Sequence, residues 1–146
     1  MALFTSYLGF FNRKDCSYVR WDSPDGLRYL HFERDSDGHK VDVAYEPFFV
    51  MVGRGNDEVA PSSFLLELWK KGEINWNEYR QRYIGQIYDG FGHGVRWMKK
   101  VGKKAWVHNV VLICYEKDSE HCHRTLLAEN IVKWSNCEYK GELNEE

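Results

Sequence analysis

The feature that most constrains the fold is an unbroken apolar run, VVLIC at residues 110–114, followed by the polar stretch EKDSE at residues 116–120. A strand with both faces buried has such a continuous apolar sequence, as in the centre of a parallel sheet. The run is too short to cross a membrane. Beyond the polar stretch, Leu127, Ile131 and Trp134 recur at helical spacing. The segment is therefore predicted to form a buried strand, a short loop and a helix with one apolar face.

The start of this helix carries three side chains that can do chemistry: Cys122, His123 and Arg124. Free N–H groups and the helix dipole favour negative charge at a helix N-terminus and promote ionisation of a thiol there. We therefore expect Cys122 to act as nucleophile or thiolate ligand and His123 as an acid–base group. The planar guanidinium of Arg124 suits phosphate or carboxylate, so Arg124 is expected to bind an anion. Glu116 is expected to orient these groups or act as a base, with a solvated loop carboxylate as the alternative.

Each of the three helix residues also fits an ordinary structural role. Cys122 is compatible with simple packing, because free cysteines are often buried. His123 is compatible with a surface position, and Arg124 with an ion pair to Glu120 or Glu129. The residue types alone leave both sets of roles open.

The segment LICYEKDSEHCHRTLLAENI at residues 112–131 resembles the signature of the family called domain of unknown function 488. The signature is an apolar strand ending in cysteine, seven further residues, then Cys-His-Arg at the start of an apolar helix. Here it falls on Cys114, Cys122, His123 and Arg124. The resemblance implies a compact α/β fold and a site at the Cys-His-Arg motif, and it implies no particular reaction. It adds Cys114, whose default role inside the apolar run is packing, to the candidate ligand-binding residues.

Two further strands end in residues that we place near this site. Residues 2–7 form a short apolar strand ending in hydroxyls, and its Thr5 and Ser6 match a short-form branch of the family. Their alternative is an ordinary core or edge strand. The apolar stretch at residues 47–52 is followed by a Gly-Arg-Gly turn in which Arg54 could meet an anion. An ordinary turn is the alternative there.

Residues 17–45 have the pattern of an antiparallel β meander. Short alternating segments are separated by turn signals at SPDG, residues 23–26, and SDG, residues 36–38. This region is longer and more polar than the corresponding part of the short-form branch. It is expected to be a decorated sheet edge, with a flap or partner surface as the alternative.

Helices are predicted from Pro61 to Gly72, after a capping box at residues 75–78, and over residues 95–101. Asp118 or Ser119 is expected to cap the helix of the Cys-His-Arg motif. In the helix after the capping box, an aromatic-rich stripe is expected to face the core, formed by Trp76, Tyr79, Tyr83 and Ile87.

Charge and composition exclude several classes of protein. A hydrophobic content of 43% and a charged content of 29% are ordinary for a globular domain and argue against disorder. A net charge of −2 gives no electrostatic footprint for nucleic acid or an anionic membrane, although a local lysine cluster lies at residues 99–104. No charged-then-apolar leader opens the sequence, so we expect a cytoplasmic protein with reduced thiols.

The four cysteines are not expected to bind a structural metal. They are Cys16, Cys114, Cys122 and Cys137. The spacing of Cys114, Cys122 and His123 lacks the paired C-x-x-C of common structural zinc sites. No metal or cofactor is therefore predicted, and zinc at these residues is the less favoured alternative.

These observations predict an α/β fold in one domain, residues 1–146, with a flexible acidic tail at residues 137–146. A small, mainly parallel sheet would be flanked by three or four helices, with an antiparallel hairpin insertion near residues 17–45. The leading hypothesis for function is an enzyme or sensor acting on a small anionic, nucleotide-like ligand. The alternatives are a non-catalytic module that sequesters a nucleotide or binds a protein through the hairpin, and a nucleic-acid-processing protein.

Overall fold

The computed structural model describes residues 1–143, in which six strands form one sheet and helices cover it. The strands are β1 Leu3–Tyr7, β2 Val19–Ser23, β3 Gly26–Arg34, β4 Lys40–Phe49, β5 Asn109–Cys114 and β6 Tyr139–Glu142. The helices are α1 Leu8–Phe11, α2 Ser63–Lys70, α3 Trp76–Asp89, α4 His93–Val107 and α5 His123–Ser135. The described residues thus contain five helices against the three or four predicted, because the four-residue α1 gave no periodic signal.

The strand order β2-β3-β4-β5-β1-β6 makes the sheet mixed. Neighbouring strands among β4, β5, β1 and β6 pair in parallel, whereas β2, β3 and β4 form an antiparallel meander. This arrangement confirms the predicted α/β fold with its antiparallel region near residues 17–45. Residues 110–114 of β5 are fully or almost fully buried, as expected for a central strand with both faces covered.

Strand β4 is longer than predicted, because two segments that were assigned separately form one continuous strand through Pro47. Proline lacks an N–H and usually interrupts a central strand. The N–H of Val50 donates to Ile113 of β5 at 2.9 Å, so the alternation along the strand directs the nitrogen of Pro47 away from β5. Pairing with β3 on that other side has already ended at Tyr45. Pro47 therefore removes no hydrogen bond from the sheet.

The helix starts agree with the predicted caps in one case and differ in two. The Asn75 side chain accepts the N–H of Glu78, which confirms the cap of α3. Helix α2 is capped by the Ser62 hydroxyl and so begins after Pro61. Helix α5 was predicted to begin at Asp118 or Ser119, but its N-cap is Cys122, without a side-chain cap. The polar loop is consequently longer, and it wraps around the start of α5.

The predicted flexible tail at residues 137–146 is wrong as far as Leu143. Residues Tyr139–Glu142 form β6, which pairs in parallel with β1 at the sheet edge. Leu143 is buried, and its N–H donates to the carbonyl of Thr5 at 2.8 Å. The rest of the predicted tail, residues 144–146, lies outside the described residues.

Helices α4 and α5 cross closely at Gly102. A Cβ atom added at Gly102 would overlap the side chain of Ser135 and lie 3.3 Å from Cγ2 of Ile131. The absent side chain is what permits this approach, which holds α5 against the sheet. Among residues 1–143, no helix has the length and apolar character needed to cross a bilayer.

Candidate functional site

The site forms where β5 ends and α5 begins. Cys114 is the last residue of β5, and Cys122 is the N-cap of α5. Their Sγ atoms lie 2.6 Å apart, and the residues are 1% and 2% exposed. The carboxyl ends of parallel strands are where open α/β sheets usually bind ligands. The topology therefore places two thiols in contact at a favoured location.

Arg124 is fully buried and holds this region together. Its Nε and Nη2 donate to the carboxylate of Glu142 at 3.1 and 2.8 Å, and its Nη1 donates to Cys114 Sγ at 3.0 Å. The carbonyl oxygens of Glu116 and Lys117 accept further hydrogen bonds from Nη1 and Nη2. A guanidinium has five N–H donors, and these contacts use all of them. The sequence predicted that Arg124 binds a ligand, whereas in the structure its hydrogen bonds go to the loop carbonyls, the Glu142 carboxylate and the Cys114 sulfur.

The two thiols differ in pKa because their surroundings differ. Burial raises the pKa of Cys114, but the hydrogen bond from Cys122 and the charge and N–H of Arg124 outweigh it and lower that pKa below the usual thiol value. A backbone hydrogen bond from Glu116 acts in the same direction. The hydrogen bond to Cys114 and burial raise the pKa of Cys122 far above its usual value, although His123 opposes them. The surroundings therefore favour ionisation of Cys114 over ionisation of Cys122.

The orientation of His123 is fixed by the backbone of the chain segment after β4. Its Nε2 lies 2.7 Å from the carbonyl oxygen of Val50. Because a carbonyl oxygen only accepts, Nε2 carries the proton and Nδ1 faces Cys122 Sγ, at 3.8 Å. The ring is 5% exposed and packs edge-on against Tyr83. His123 Nδ1 thus lies on the side of Cys122 Sγ, where it can accept a hydrogen bond.

A cavity of about 160 Å³ opens beside the two sulfurs. Aromatic rings of Trp69, Tyr79 and His121 form part of its wall. Lys70 and Glu116 also line it, with Lys70 Nζ 3.7 Å from Glu116 Oε1. A cavity of about 150 Å³ accommodates one benzene molecule. The space beside the thiols therefore suits a single planar ring, with charged groups beside it.

The same side chains could supply ligands to a metal. Cys114 Sγ, Cys122 Sγ and His123 Nδ1 lie within 4.8 Å of one another. Two thiolates and one imidazole, with a fourth position open, are a donor set that zinc accepts. Within residues 1–143, a second group of possible metal ligands lies exposed in the turn between β3 and β4 and consists of Asp35, Asp37 and His39.

The remaining predicted site residues lie around this cluster but outside the cavity lining. Thr5 shares a hydrogen bond with the Tyr139 hydroxyl at 2.7 Å, and the Ser6 hydroxyl donates to the carbonyl of Leu143 at 2.9 Å. Both residues are buried and fasten β1 to the β6 edge. Arg54 is exposed and reaches the hydroxyl of Tyr115 at 3.4 Å. Only Arg54, through Tyr115, touches the wall of the cavity.

Sequence reasoning missed Glu142 and the aromatic wall. Glu142 is separated from Arg124 by 18 positions and was assigned to an acidic tail, so no local pattern connected the two. Tyr79 was assigned to the core stripe of its helix, and Trp69 was given no role. A signal existed for His121, which lies beside Cys122 in the sequence, and its Nδ1 pairs with Asp118 at 2.9 Å.

A family model described as the active DUF488-N3 subclade, DUF488-N3a, matches residues 52–135. The matched range contains both thiols, His123, Arg124 and most of the cavity lining. It leaves out β1 and the antiparallel meander. No curated protein and no solved structure matched the chain.

Proposed function

This chain belongs to the DUF488-N3a family, and on that premise we propose that it is an enzyme whose nucleophile is the Cys114 thiolate. The family match confirms the resemblance predicted from the C-x7-C-H-R signature. The family is described as the active subclade, which supports catalysis over a purely binding role when extended to this chain. The proposal moves the nucleophile from Cys122, where the sequence placed it, to Cys114.

The observation that carries the proposal is the convergence of hydrogen-bond donors on one buried sulfur. Cys114 Sγ receives an N–H of Arg124 at 3.0 Å, the thiol of Cys122, and a backbone N–H of Glu116. The thiolate is the reactive form of cysteine. Arg124 is already paired with the carboxylate of Glu142, yet it also directs an N–H at the Cys114 sulfur, which favours the ionised form of that thiol.

The geometry supports covalent chemistry with the proton supplied by Cys122. Cys114 Sγ would form a bond to an electrophilic carbon of the ligand, and the leaving group would depart with the proton of the Cys122 thiol. Water would then displace the sulfur, giving its hydroxyl to the ligand carbon and its other proton to Cys122. The site carries one negative charge throughout, first on Cys114 and then on Cys122. His123 Nδ1 lies where it can pass this proton on.

The cavity supports a planar, nucleobase-like ring as the reacting part of the ligand. Its volume fits one ring, and the aromatic residues Trp69 and Tyr79 line it. Stacking of a base on an aromatic side chain contributes about 1–3 kcal/mol. Since all N–H donors of Arg124 are already used, we assign binding of an anionic group of the ligand to Lys70, whose side chain is about half exposed.

Iodoacetamide alkylation as a function of pH tests the nucleophile. We expect one fast-reacting cysteine, mapped to Cys114 by peptide mass analysis, whose rate stays high below the usual thiol pKa of about 8.5. Cys114→Ser should abolish the fast phase, whereas the matched variant Cys16→Ser should keep it. A rate that climbs only through the usual thiol range would refute the proposal.

Protection against the same alkylation tests the ligand class. Free nucleobases and nucleoside monophosphates, added separately, are expected to slow modification of Cys114 in wild-type protein. Unchanged alkylation across both panels, at millimolar concentrations, would remove the nucleobase-like ligand from the proposal while leaving the thiolate in place.

A further inference from the structure

The proposed chemistry uses Cys122 only as a proton donor, yet the contact between its sulfur and that of Cys114 permits more. The two Sγ atoms lie 2.6 Å apart, and both sulfurs line the same cavity. A thiolate with a second thiol beside it is the arrangement in which oxidation of one sulfur is followed by attack of the other.

We propose that Cys114 and Cys122 form a dithiol pair that a peroxide oxidises reversibly to an intramolecular disulfide, which switches the site off. The inference rests on the proposed function, because it concerns regulation of the same nucleophile.

The oxidation takes two balanced steps. Cys114 Sγ attacks a peroxide oxygen, the O–O bond breaks, and the leaving oxygen takes a proton from solvent, so that the sulfur is oxidised to sulfenic acid and the peroxide is reduced. Cys122 Sγ then attacks Cys114 Sγ, the S–O bond breaks, and the oxygen leaves as water with the Cys122 proton. A small-molecule dithiol reductant reverses the result by thiol–disulfide exchange.

The surrounding contacts suit both states of the pair. A disulfide needs its sulfurs about 2.05 Å apart, so a small approach from the present contact is enough. Oxidation removes the negative charge of Cys114, but Arg124 keeps the carboxylate of Glu142 and the carbonyls of Glu116 and Lys117. The buried cation therefore stays paired, and the loop around it keeps its anchors.

The cavity gives a small oxidant access that the low exposure of the sulfurs would otherwise deny. Cys16 and Cys137 do not line the cavity beside the pair. Disulfide formation would also protect Cys114 from the irreversible sulfinic and sulfonic acids, because the sulfenic acid is consumed as soon as Cys122 reacts.

Peroxide titration of the reduced chain, followed by alkylation and intact mass measurement, tests the inference. We expect the protein to lose the mass of two hydrogen atoms and two alkylatable thiols, and a peptide linking Cys114 to Cys122 to appear. Dithiothreitol should restore both thiols. Cys16→Ser and Cys137→Ser should behave as the wild type. Cys122→Ser should instead accumulate a sulfenic acid at Cys114 that dimedone traps.

Three outcomes would overturn the inference. They are sulfinic acid at Cys114 with Cys122 still alkylatable, a disulfide that involves Cys16 or Cys137, and stoichiometric zinc in the purified protein that prevents oxidation. Fast alkylation of Cys114 without a disulfide would defeat the inference alone. A disulfide in a protein whose reduced Cys114 alkylates slowly would defeat the proposed nucleophile and leave the redox pair standing.

Discussion

Replacing Glu142 by glutamine should weaken the fold and yet make Cys114 more acidic. The carboxylate accepts two hydrogen bonds from Arg124, at 3.1 and 2.8 Å. The Arg124 side chain is 0% exposed and that of Glu142 is 19% exposed, so the pair is little screened by water. Glu142 also carries the same sign of charge as the thiolate. Its neutralisation leaves the Arg124 charge to Cys114 alone, and the pKa of Cys114 should fall.

The stability cost follows from the burial of the pair. Breaking a buried ion pair by removing one partner costs about 3–5 kcal/mol. Glutamine keeps one oxygen as an acceptor and the site is partly exposed, so we expect a loss of about 2–3 kcal/mol in the free energy of unfolding. With a urea dependence of about 2 kcal/mol per molar, the unfolding midpoint should fall by about 1 M.

Urea denaturation gives the stability, and iodoacetamide alkylation against pH gives the direction of the pKa change. Glu138→Gln is the matched control, because it makes the same charge change at an exposed position just before β6. It should leave both readouts unchanged. A stable Glu142→Gln protein, or one in which Cys114 needs a higher pH to react, would refute the view of Arg124 as a cation shared between two anions.

Three further predictions concern packing, pH and the cavity. Gly102→Ala should lower the free energy of unfolding by about 1–3 kcal/mol in urea denaturation, because the added carbon has no room. The control Gly85→Ala should raise it by up to about 1 kcal/mol, because an added Cβ there meets nothing within 4 Å. Equal effects of the two substitutions would refute the close crossing of α4 and α5. The pKa of Cys114 is lowered by folding and that of Cys122 is raised, so their joint contribution to stability should be lost as pH falls from the usual thiol value through the folded pKa of Cys114, and also as pH rises above the usual thiol value towards the raised folded pKa of Cys122. The urea midpoints of the wild type and of the Cys114→Ser/Cys122→Ser double variant should converge at both ends of this pH range, and a difference that does not change with pH would contradict the assignment. Trp69→Ala should weaken nucleobase protection of Cys114 about tenfold while leaving the unprotected alkylation rate unchanged; a changed unprotected rate would show that the tryptophan acts on the thiolate itself.

The parts of the fold that were predicted correctly are those specified by local pattern. The apolar run of β5, the helical spacing of α5 and the turn signals of the meander each act over a few residues, and the structure contains all three. The continuity of β4 could not be predicted, because it depends on where the pairing with β3 stops, two residues before Pro47.

Within the site, it was predictable from the sequence which residues lie close together, but the directions of their side chains were not. The C-x7-C-H-R signature brought Cys114, Cys122, His123 and Arg124 to one place. The direction of the Arg124 side chain depends on two carbonyls of the loop and on a carboxylate from another strand. Such contacts join distant parts of the chain, and the acidic composition around Glu142 resembles that of any solvated tail.

The attachment of Arg124 to β6 has a consequence for the order in which the site assembles. Glu142 comes later in the chain than every other residue that the site uses. Until β6 pairs with β1, the buried guanidinium lacks its counter-charge and the loop around Cys114 lacks an anchor. The site is therefore fully anchored only when the last strand docks, which ties the geometry around Cys114 to the pairing of the sheet edge.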